Sequence, residues 1–319
     1  MTSTPPFEQL PLLPDSQERH AWDVWGRQDQ LGSINRLGPQ QVLQACRLVS
    51  VGQVICLTVP LDEPDPGLFP DRAPYRHNVT RSGHGRDDSL DNFFLQFSSQ
   101  WDALQHVRFR QHGYWGGREE DDLDRDGSLG IAHWAQHGIF GRGVLLDVLA
   151  YQAAQGEPLV PNRRFAIDGT LLDRVAAQEG VSLQAGDILL MRTGWMDWYR
   201  GLSLDERNAL RGTVGQGEGA LATPGLDGNQ SSAAWLWNRG VAAIASDNVA
   251  VEALPVDRAA GFLHRRLIPL LGIALGEFWW LRDLAEACQQ AGRYEFLLAA
   301  APLYLRGGVG SPANAYAVL

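Results

Sequence analysis

The chain has 319 residues, a formal net charge of −10, and a composition that is 45% hydrophobic and 20% charged. This length allows one large domain or two small ones, with a substantial buried core. Apart from histidine, every basic residue is arginine, and the absence of lysine excludes Schiff-base and lysine-nucleophile chemistry. An acidic chain without a basic stripe is poorly suited to nucleic acid, so we expect a small-molecule partner.

The cysteines and the N-terminal residues favour a cytoplasmic location. Cys46, Cys56 and Cys288 are odd in number and form no CxxC spacing, which argues against a disulfide framework and suits a reducing compartment. Residues 1–15 are polar and Pro-rich and lack the pattern of a signal peptide. No apolar run reaches the roughly 18 residues of a membrane span. We predict a flexible arm at residues 1–15, followed by a single domain at 16–319.

Hydrophobic periodicity predicts helices and strands that are mixed without a strict βαβ order. The predicted helices are residues 39–49, 168–178, 203–210, 232–239, 258–271 and 281–290. The predicted strands are residues 53–60, 93–101, 143–148, 187–193, 241–246, 273–275 and 294–305. Residues 61–86, dense in Pro, Gly, Asp and Arg, are predicted as a long loop of the kind that often forms a lid, and residues 116–127 as a charged loop. This mixture favours an α/β domain with a mixed central sheet.

One face of the predicted strand at residues 93–102, FFLQFSSQWD, is polar. Because side chains alternate across a strand, Gln96, Ser98, Gln100 and Asp102 share that face. A solvated surface is the plainer interpretation. However, these residues offer oxygen ligands and hydrogen-bonding groups. A carboxylate followed four residues later by His106 is also a usual way to hold a metal or a general base.

His264 and Glu277 form a second candidate pair. His264 projects from the predicted helix at residues 258–271, and Glu277 follows a short apolar strand and precedes three aromatic residues. A carboxylate buried in apolar surroundings needs a partner. Two possibilities stay open for Glu277: a metal ligand, or an ion pair with Arg265, Arg266 or Arg282.

These residues carry a resemblance to a known family. The stretch QFSSQWDALQH, from Gln96 to His106, resembles the motif His-x-Gly-Thr-His-x-Asp-x-Pro-x-His of the cyclase superfamily, which includes enzymes similar to kynurenine formamidase and isatin hydrolase. Asp102 and His106 match this motif, whereas Gln96 and Gln100 replace its two leading histidines. Further segments resemble the family in the same order: WGRQDQLGSIN near the N-terminus, GVLLDV, GDILLMRTGW and the closing GSPAN.

The resemblance covers nearly the whole chain and implies a fold and an activity. The fold is an α/β domain of the swivelling β/β/α type, often assembled as a homodimer or homotetramer. The activity is hydrolysis of an amide or ester by a metal-activated water. By position, His106 matches the family's acid/base and Asp102 is the second catalytic candidate. The candidate metal ligands carried over in the same way are Gln96, Gln100, Asp102, His264 and Glu277.

The two glutamines change the centre that we expect. A glutamine carbonyl is a neutral oxygen donor, and an oxygen-rich shell suits one divalent ion, either Zn²⁺ or Mn²⁺, with a position left open for water. We expect such a centre to open a cyclic ester (lactone) or amide bond of a small molecule. Tyr114 and Trp115, which follow the motif, either line the substrate pocket or pack as core aromatics. Two alternatives stay open: an arylformamidase or cyclic amidase with a dinuclear site, and a non-catalytic binding protein that has lost its metal.

Overall fold

A nine-stranded mixed sheet forms the centre of the computed structural model, which describes residues 4–215 and 217–319. The strands, in chain order, are β1 Val54–Cys56, β2 Arg76–Arg81, β3 Arg86–Asp91, β4 Gln100–Asp102, β5 Ile139–Asp147, β6 Phe165–Ile167, β7 Ile188–Arg192, β8 Pro224–Leu226, β9 Ala243–Ser246, β10 Ala274–Glu277, β11 Glu295–Ala300, β12 Gly310–Pro312 and β13 Ala315–Val318. Strands β2 and β3 pair separately, as do β6 and β8.

Helices surround this sheet. They are α1 Pro39–Cys46, α2 Glu120–Asp126, α3 Ile131–His137, α4 Val148–Ala154, α5 Gly169–Glu179, α6 Trp195–Gly201, α7 Leu204–Leu210, α8 Gln230–Asn238, α9 Leu263–Leu267 and α10 Arg282–Ala291. Short 3₁₀ segments lie at Phe7–Gln9, Gly32–Arg36, Arg110–His112 and Trp115–Gly117. In the part of the chain that the structure describes, no helix combines the length and apolar character needed to cross a membrane.

The order of strands across the central sheet is β1-β13-β11-β5-β7-β9-β10-β4-β12. Strands β5, β7, β9 and β10 run parallel and are almost entirely buried. Parallel strands are covered on both faces, which explains their near-continuous apolar runs, such as ILLMR in β7. The outer strands pair antiparallel. The prediction of a single α/β domain with a mixed central sheet is confirmed.

Several predicted elements are corrected. The predicted strand at residues 93–101 is a strand only within β4, since residues 95–99 form turns and bends. The predicted loop at 61–86 contains β2, which pairs with β3 as an exposed hairpin. The predicted helix at 258–271 is reduced to α9. The predicted charged loop at 116–127 contains α2, because a capping box between Glu119 and Asp122 starts a helix there.

Residues 4–15, which belong to the segment predicted as a flexible arm, pack on the domain. Phe7, Leu10 and Leu13 are buried in the main core, and Trp237 donates its Nε1–H to the carbonyl of Pro5 at 2.8 Å. Full burial of a large apolar side chain contributes about 1.5–3 kcal/mol, so these three side chains stabilise the packing of this segment on the domain. Residues 1–3 of the predicted arm lie outside the described residues.

Strand β4 lies between β10 and β12, and this arrangement brings polar residues together. Gln100 is opposite Glu277 of β10, and directly opposed residues of an antiparallel pair point to the same face. Asp102, two residues further along β4, shares that face. On the other side of β4, Gly310 leaves room for Gln96, because a Cβ at Gly310 would lie 2.7 Å from Cγ of Gln96.

Candidate metal centre

Three acidic and histidine side chains from different elements converge on one buried point. Asp102 comes from β4, His264 from α9 and Glu277 from the end of β10. One potential ligand atom from each lies within 4.8 Å of the other two, and none of the three residues is more than 5% exposed. The structure therefore assembles three of the five predicted metal ligands into one cluster.

Three buried oxygens in this cluster and in the adjacent Gln100 have no hydrogen-bond partner. They are Oδ2 of Asp102, Oε1 of Glu277 and Oε1 of Gln100, all buried. Leaving a buried polar atom unpaired costs about 1–3 kcal/mol, and the large majority of buried polar atoms in native proteins are paired. The unpaired oxygens of Asp102 and Glu277 both lie beside Nε2 of His264 and form a cradle that a cation would satisfy.

The spacing of the cluster atoms fits one divalent ion. Nε2 of His264 lies 2.9 Å from Oε1 of Glu277 and 4.0 Å from Oδ2 of Asp102. With metal–ligand bonds of about 2.1 Å, ligands at right angles are about 3.0 Å apart and opposite ligands about 4.2 Å apart. The 2.9 Å contact is an ion pair that lacks the geometry of a hydrogen bond, which suits two ligands directed at a shared ion.

Glu252 fixes the orientation of His264. Oε2 of Glu252 lies 2.6 Å from Nδ1 of His264, and Phe262 stacks on the imidazole face with a centroid distance of 5.0 Å. A carboxylate on Nδ1 holds a proton there and leaves Nε2 as the atom that can bind a cation. Sequence reasoning missed Glu252. The sequence does contain an indication of its role: Glu252 is the lone acid in the apolar run VAVEALP, and an acid buried in such a run needs a partner.

Burial and mutual charge set the protonation of the cluster. Burial raises the pKa of Glu277 to about 7, while the charge of His264 opposes that rise. Burial would lower the pKa of His264, but the carboxylates of Glu252 and Glu277 hold it well above its ordinary value. When no cation is bound, His264 therefore carries protons on both ring nitrogens, and its Nε2 forms an ion pair with Oε1 of Glu277. A divalent cation would compete with the Nε2 proton for that nitrogen.

Gln96 and Gln100 contact the carboxylates through their amide nitrogens. Nε2 of Gln100 donates to Oε2 of Glu277 at 2.9 Å and to Oδ1 of Asp102 at 3.4 Å. Nε2 of Gln96 donates to the same Oδ1 at 2.5 Å. All five predicted ligands therefore meet at this point, but the two glutamines face the carboxylates as hydrogen-bond donors.

His106, the predicted catalytic residue, borders the cluster and reaches solvent. Its side chain is 23% exposed, and its Nε2 lies 3.9 Å from Oδ2 of Asp102. Burial lowers the pKa of His106, against the raising effect of Asp102, so its imidazole is neutral at pH 7. Nδ1 lies 2.9 Å from Nε2 of Gln96. An amide nitrogen donates and does not accept, so the ring proton of His106 lies on Nε2.

The two predicted pocket residues take part in other contacts. Trp115 is fully buried and donates its Nε1–H to Oδ2 of Asp29 at 3.1 Å. Tyr114 donates its hydroxyl to Oε1 of Glu120 at 2.5 Å, and burial raises its pKa to about 12. A substrate cannot reach a fully buried ring. We therefore assign Trp115 to the packing of the N-terminal segment and not to a pocket. The hydroxyl of Tyr114 is held by α2, and a place for its ring in a pocket stays a prediction.

These contacts also settle the role of a nearby buried acid and the ion-pair alternative left open for Glu277. Asp247, a buried acid at the end of β9, accepts three hydrogen bonds from Thr193 and Gly194, so Glu252 and not Asp247 supports His264. Glu277 has none of the three arginine partners considered for it within the described residues: Arg266 pairs with Glu18, Arg282 pairs with Glu286, and Arg265 lies over Phe262.

Known proteins share this fold. A family model described as putative cyclase matches residues 55–253. A crystal structure of a novel cyclase is 30% identical, with a TM-score of 0.81, and the match covers 94% of this chain and 99% of that chain. No curated protein matches the sequence.

Isatin hydrolases are more distant structural neighbours. Isatin hydrolase A from Labrenzia aggregata, bound to benzyl benzoate, is 17% identical with a TM-score of 0.55, and the match covers 89% of this chain and 98% of that chain. An isatin hydrolase bound to the product analogue thioisatinate is 14% identical with a TM-score of 0.56, covering 88% and 99%. At these identities the likeness shows a common fold.

Proposed function

The chain belongs to the cyclase family, and we propose on that premise that it is a metal-dependent hydrolase that opens a cyclic ester or amide bond of a small molecule. One observation carries the proposal: oxygens of Asp102 and Glu277 that accept no hydrogen bond lie together beside Nε2 of His264. A purely structural cluster of buried acids would satisfy such atoms within the protein.

One divalent cation, Zn²⁺ or Mn²⁺, would be held by Asp102, His264 and Glu277. Two carboxylates and one imidazole balance its charge and leave room for further ligands, as catalytic sites require. When bound, the cation supplies a Lewis acid for a substrate carbonyl and lowers the pKa of a water. Glu252 keeps His264 in the orientation that binding needs.

His106 is the residue that would act on the reacting oxygen. It combines partial exposure with an Nε2 that lies 3.9 Å from Asp102. With its proton on Nε2, the neutral ring donates a hydrogen bond to an oxygen that gains negative charge. The acid/base role expected from the sequence requires the other tautomer, in which Nε2 accepts a proton.

A ring ester is the favoured substrate class. An alkoxide leaving group is less basic than an amide nitrogen and needs less protonation, which suits a neutral His106. A cyclic amide is the second candidate, because the isatin hydrolases share this fold.

Turnover assays test the proposed hydrolase. Protein purified without chelator and supplied with Zn²⁺ or Mn²⁺ would be assayed on lactones, cyclic amides and aryl formamides. We expect lactone hydrolysis, and we expect His106→Ala to lower kcat about 10²–10⁴-fold with metal content unchanged. His112→Ala, a histidine in the same segment, is the matched control and should retain activity. If metal-loaded wild-type protein hydrolyses none of these substrates, the hydrolase is excluded in favour of a binding protein.

A further inference from the structure

Each glutamine amide in the centre uses both of its N–H bonds. Gln96 donates to Oδ1 of Asp102 and to Nδ1 of His106. Gln100 donates to Oε2 of Glu277 and, at the longer distance of 3.4 Å, to Oδ1 of Asp102. A primary amide nitrogen carries two hydrogens, so these contacts leave neither glutamine with a free donor.

The acceptors around the amides fix their orientation. An ionised carboxylate, the form in which each acid would bind a cation, accepts hydrogen bonds and has none to donate. Turning the Gln96 amide by 180° would place its carbonyl oxygen against Oδ1 of Asp102, where a donor now lies at 2.5 Å. The same turn at Gln100 would place an oxygen against Oε2 of Glu277. Both turns replace a hydrogen bond with repulsion between two electron-rich oxygens.

In each carboxylate these contacts occupy one oxygen and leave the other without a hydrogen bond. Oδ1 of Asp102 and Oε2 of Glu277 receive amide hydrogens, whereas Oδ2 and Oε1 remain unpartnered beside Nε2 of His264. The unpartnered atoms suffice to hold one cation. A second cation would need oxygens that already accept amide hydrogens. It would also meet N–H bonds at two positions where the family motif offers imidazole lone pairs.

We propose that Gln96 and Gln100 act as hydrogen-bond donors and not as ligands, limiting the centre to one divalent cation and holding the ring proton of His106 on Nε2. This inference rests on the metal centre of the proposed function. It replaces the expectation that both glutamines bind the metal through oxygen. It also gives His106 a defined role as a neutral N–H donor, set by Gln96 as a positioning residue.

Zn²⁺ stoichiometry tests the limit of one cation. Wild-type protein stripped by chelator and titrated with Zn²⁺ should bind one ion per chain by calorimetry and by elemental analysis. The double variant Gln96→His/Gln100→His should bind two, because imidazole lone pairs replace the amide donors. Gln105→His is the matched control, since Gln105 is a buried glutamine of the same segment that donates to the carbonyl of Gly307; it should bind one.

Two ions in the wild-type protein, or one ion in a folded double variant, would overturn the inference. If circular dichroism shows that the double variant is unfolded, Gln96→His alone gives the same test, because Gln96 is only partly buried. A second binding event in that single variant supports the inference and its absence contradicts it.

The tautomer of His106 tests the second part. In long-range ¹H–¹⁵N spectra of Zn²⁺-loaded protein labelled at histidine, we expect the His106 proton on Nε2. Gln96→Glu replaces the donor with an acceptor of the same shape and should move that proton to Nδ1. A purely structural role for Gln96 would leave the tautomer unchanged. A wild-type proton on Nδ1, or an unchanged tautomer in the variant, contradicts the inference.

Both readouts are independent of turnover, so the two proposals fail separately. One bound ion with the expected tautomer, but no hydrolysis of any substrate, keeps the role of the glutamines and excludes the hydrolase. Hydrolysis by a protein that binds two ions keeps the hydrolase and excludes the proposed role of the glutamines. If the wild-type protein binds no Zn²⁺, the inference falls together with the metal centre on which it rests.

Discussion

Two buried aspartates of this protein have opposite surroundings. Asp247, at the end of β9, accepts the backbone N–H and hydroxyl of Thr193 at 2.7 and 2.8 Å and the backbone N–H of Gly194 at 2.7 Å. Asp102, on β4, has one oxygen that accepts amide hydrogens and another that has no partner. Both residues are at most 2% exposed, so burial does not distinguish them.

The difference gives a criterion that separates a structural acid from a proposed metal ligand. Donors fixed by the backbone satisfy both oxygens of Asp247, which therefore holds the turn at Thr193 in place. The protein leaves Oδ2 of Asp102 without a donor, although pairing it would recover about 1–3 kcal/mol. Such unused stabilisation is typical of sites that await a ligand.

The largest expected effect comes from the same substitution at both aspartates. Asp247→Asn places an NH₂ group or a single carbonyl among three donors, so we expect a loss of about 2–4 kcal/mol in the free energy of unfolding. Asp102→Asn removes a ligand and a negative charge. It should weaken Zn²⁺ binding by more than the roughly 100-fold that loss of a supporting partner costs, and leave the metal-free fold at least as stable.

Urea denaturation of the metal-free proteins measures the expected loss of stability in Asp247→Asn. Calorimetry with Zn²⁺ measures the expected loss of affinity in Asp102→Asn. If Asp102→Asn destabilised the metal-free protein as much as Asp247→Asn does, Asp102 would be a structural acid as well. The separation drawn from unpartnered oxygens would then be wrong.

Most of the fold and three of the acidic and histidine residues at the candidate site could be predicted from the sequence. The apolar runs of β7 and β9 predict buried parallel strands, because such strands carry no polar alternation. The sequence indicates Glu277 because a charged group in apolar surroundings needs a partner. It indicates Asp102 by a polar strand face and the cyclase motif, and His264 by its resemblance to a later family ligand. These predictions depend on residue type and spacing, which a sequence displays directly.

The remaining features depend on contacts between distant residues. Glu252 contacts His264 from a segment in which the sequence has no helical or strand periodicity to predict the contact. Trp115 follows the motif but is fully buried beside Asp29. The orientation of Gln96 is set by the acceptors that surround its amide. The residue type alone is compatible with oxygen ligation or with N–H donation.

Glu252 provides the next sharpest test, because it is a third buried acid with a defined partner. Glu252→Gln removes the charge that supports Nδ1 of His264, and we expect Zn²⁺ affinity to fall about 10–100-fold. Glu179 is the matched control: it is a partly buried acid whose pKa burial raises to about 8, and it accepts the backbone N–H of Asp147. Glu179→Gln should leave Zn²⁺ affinity unchanged. Equal affinities in both variants, measured by competition with a chromogenic chelator, would remove Glu252 from the centre.

The smallest expected effect extends the comparison to the histidines. His264 has a carboxylate beside each ring nitrogen, whereas Nδ1 of the buried His20 has no partner and its ring stacks on Trp22. Burial and the charge of Arg27 lower the pKa of His20 to about 4, against the raising effect of Asp23. His20 is therefore neutral in the folded protein.

The unfolded chain binds a proton at His20 near pH 6.5, above the pH at which the folded chain does. The stability that neutral His20 contributes is thus fully present above pH 6.5 and is lost as the pH falls towards 4. Between pH 7.5 and 5, we expect this residue to account for about 1–2 kcal/mol of the loss in unfolding free energy. His20→Phe, which keeps an aromatic ring against Trp22, should reduce the loss by that amount in urea denaturation at the two pH values. An unchanged difference between the two pH values would show that His20 titrates alike in the folded and unfolded chain, so that an unpartnered nitrogen there has no consequence for stability.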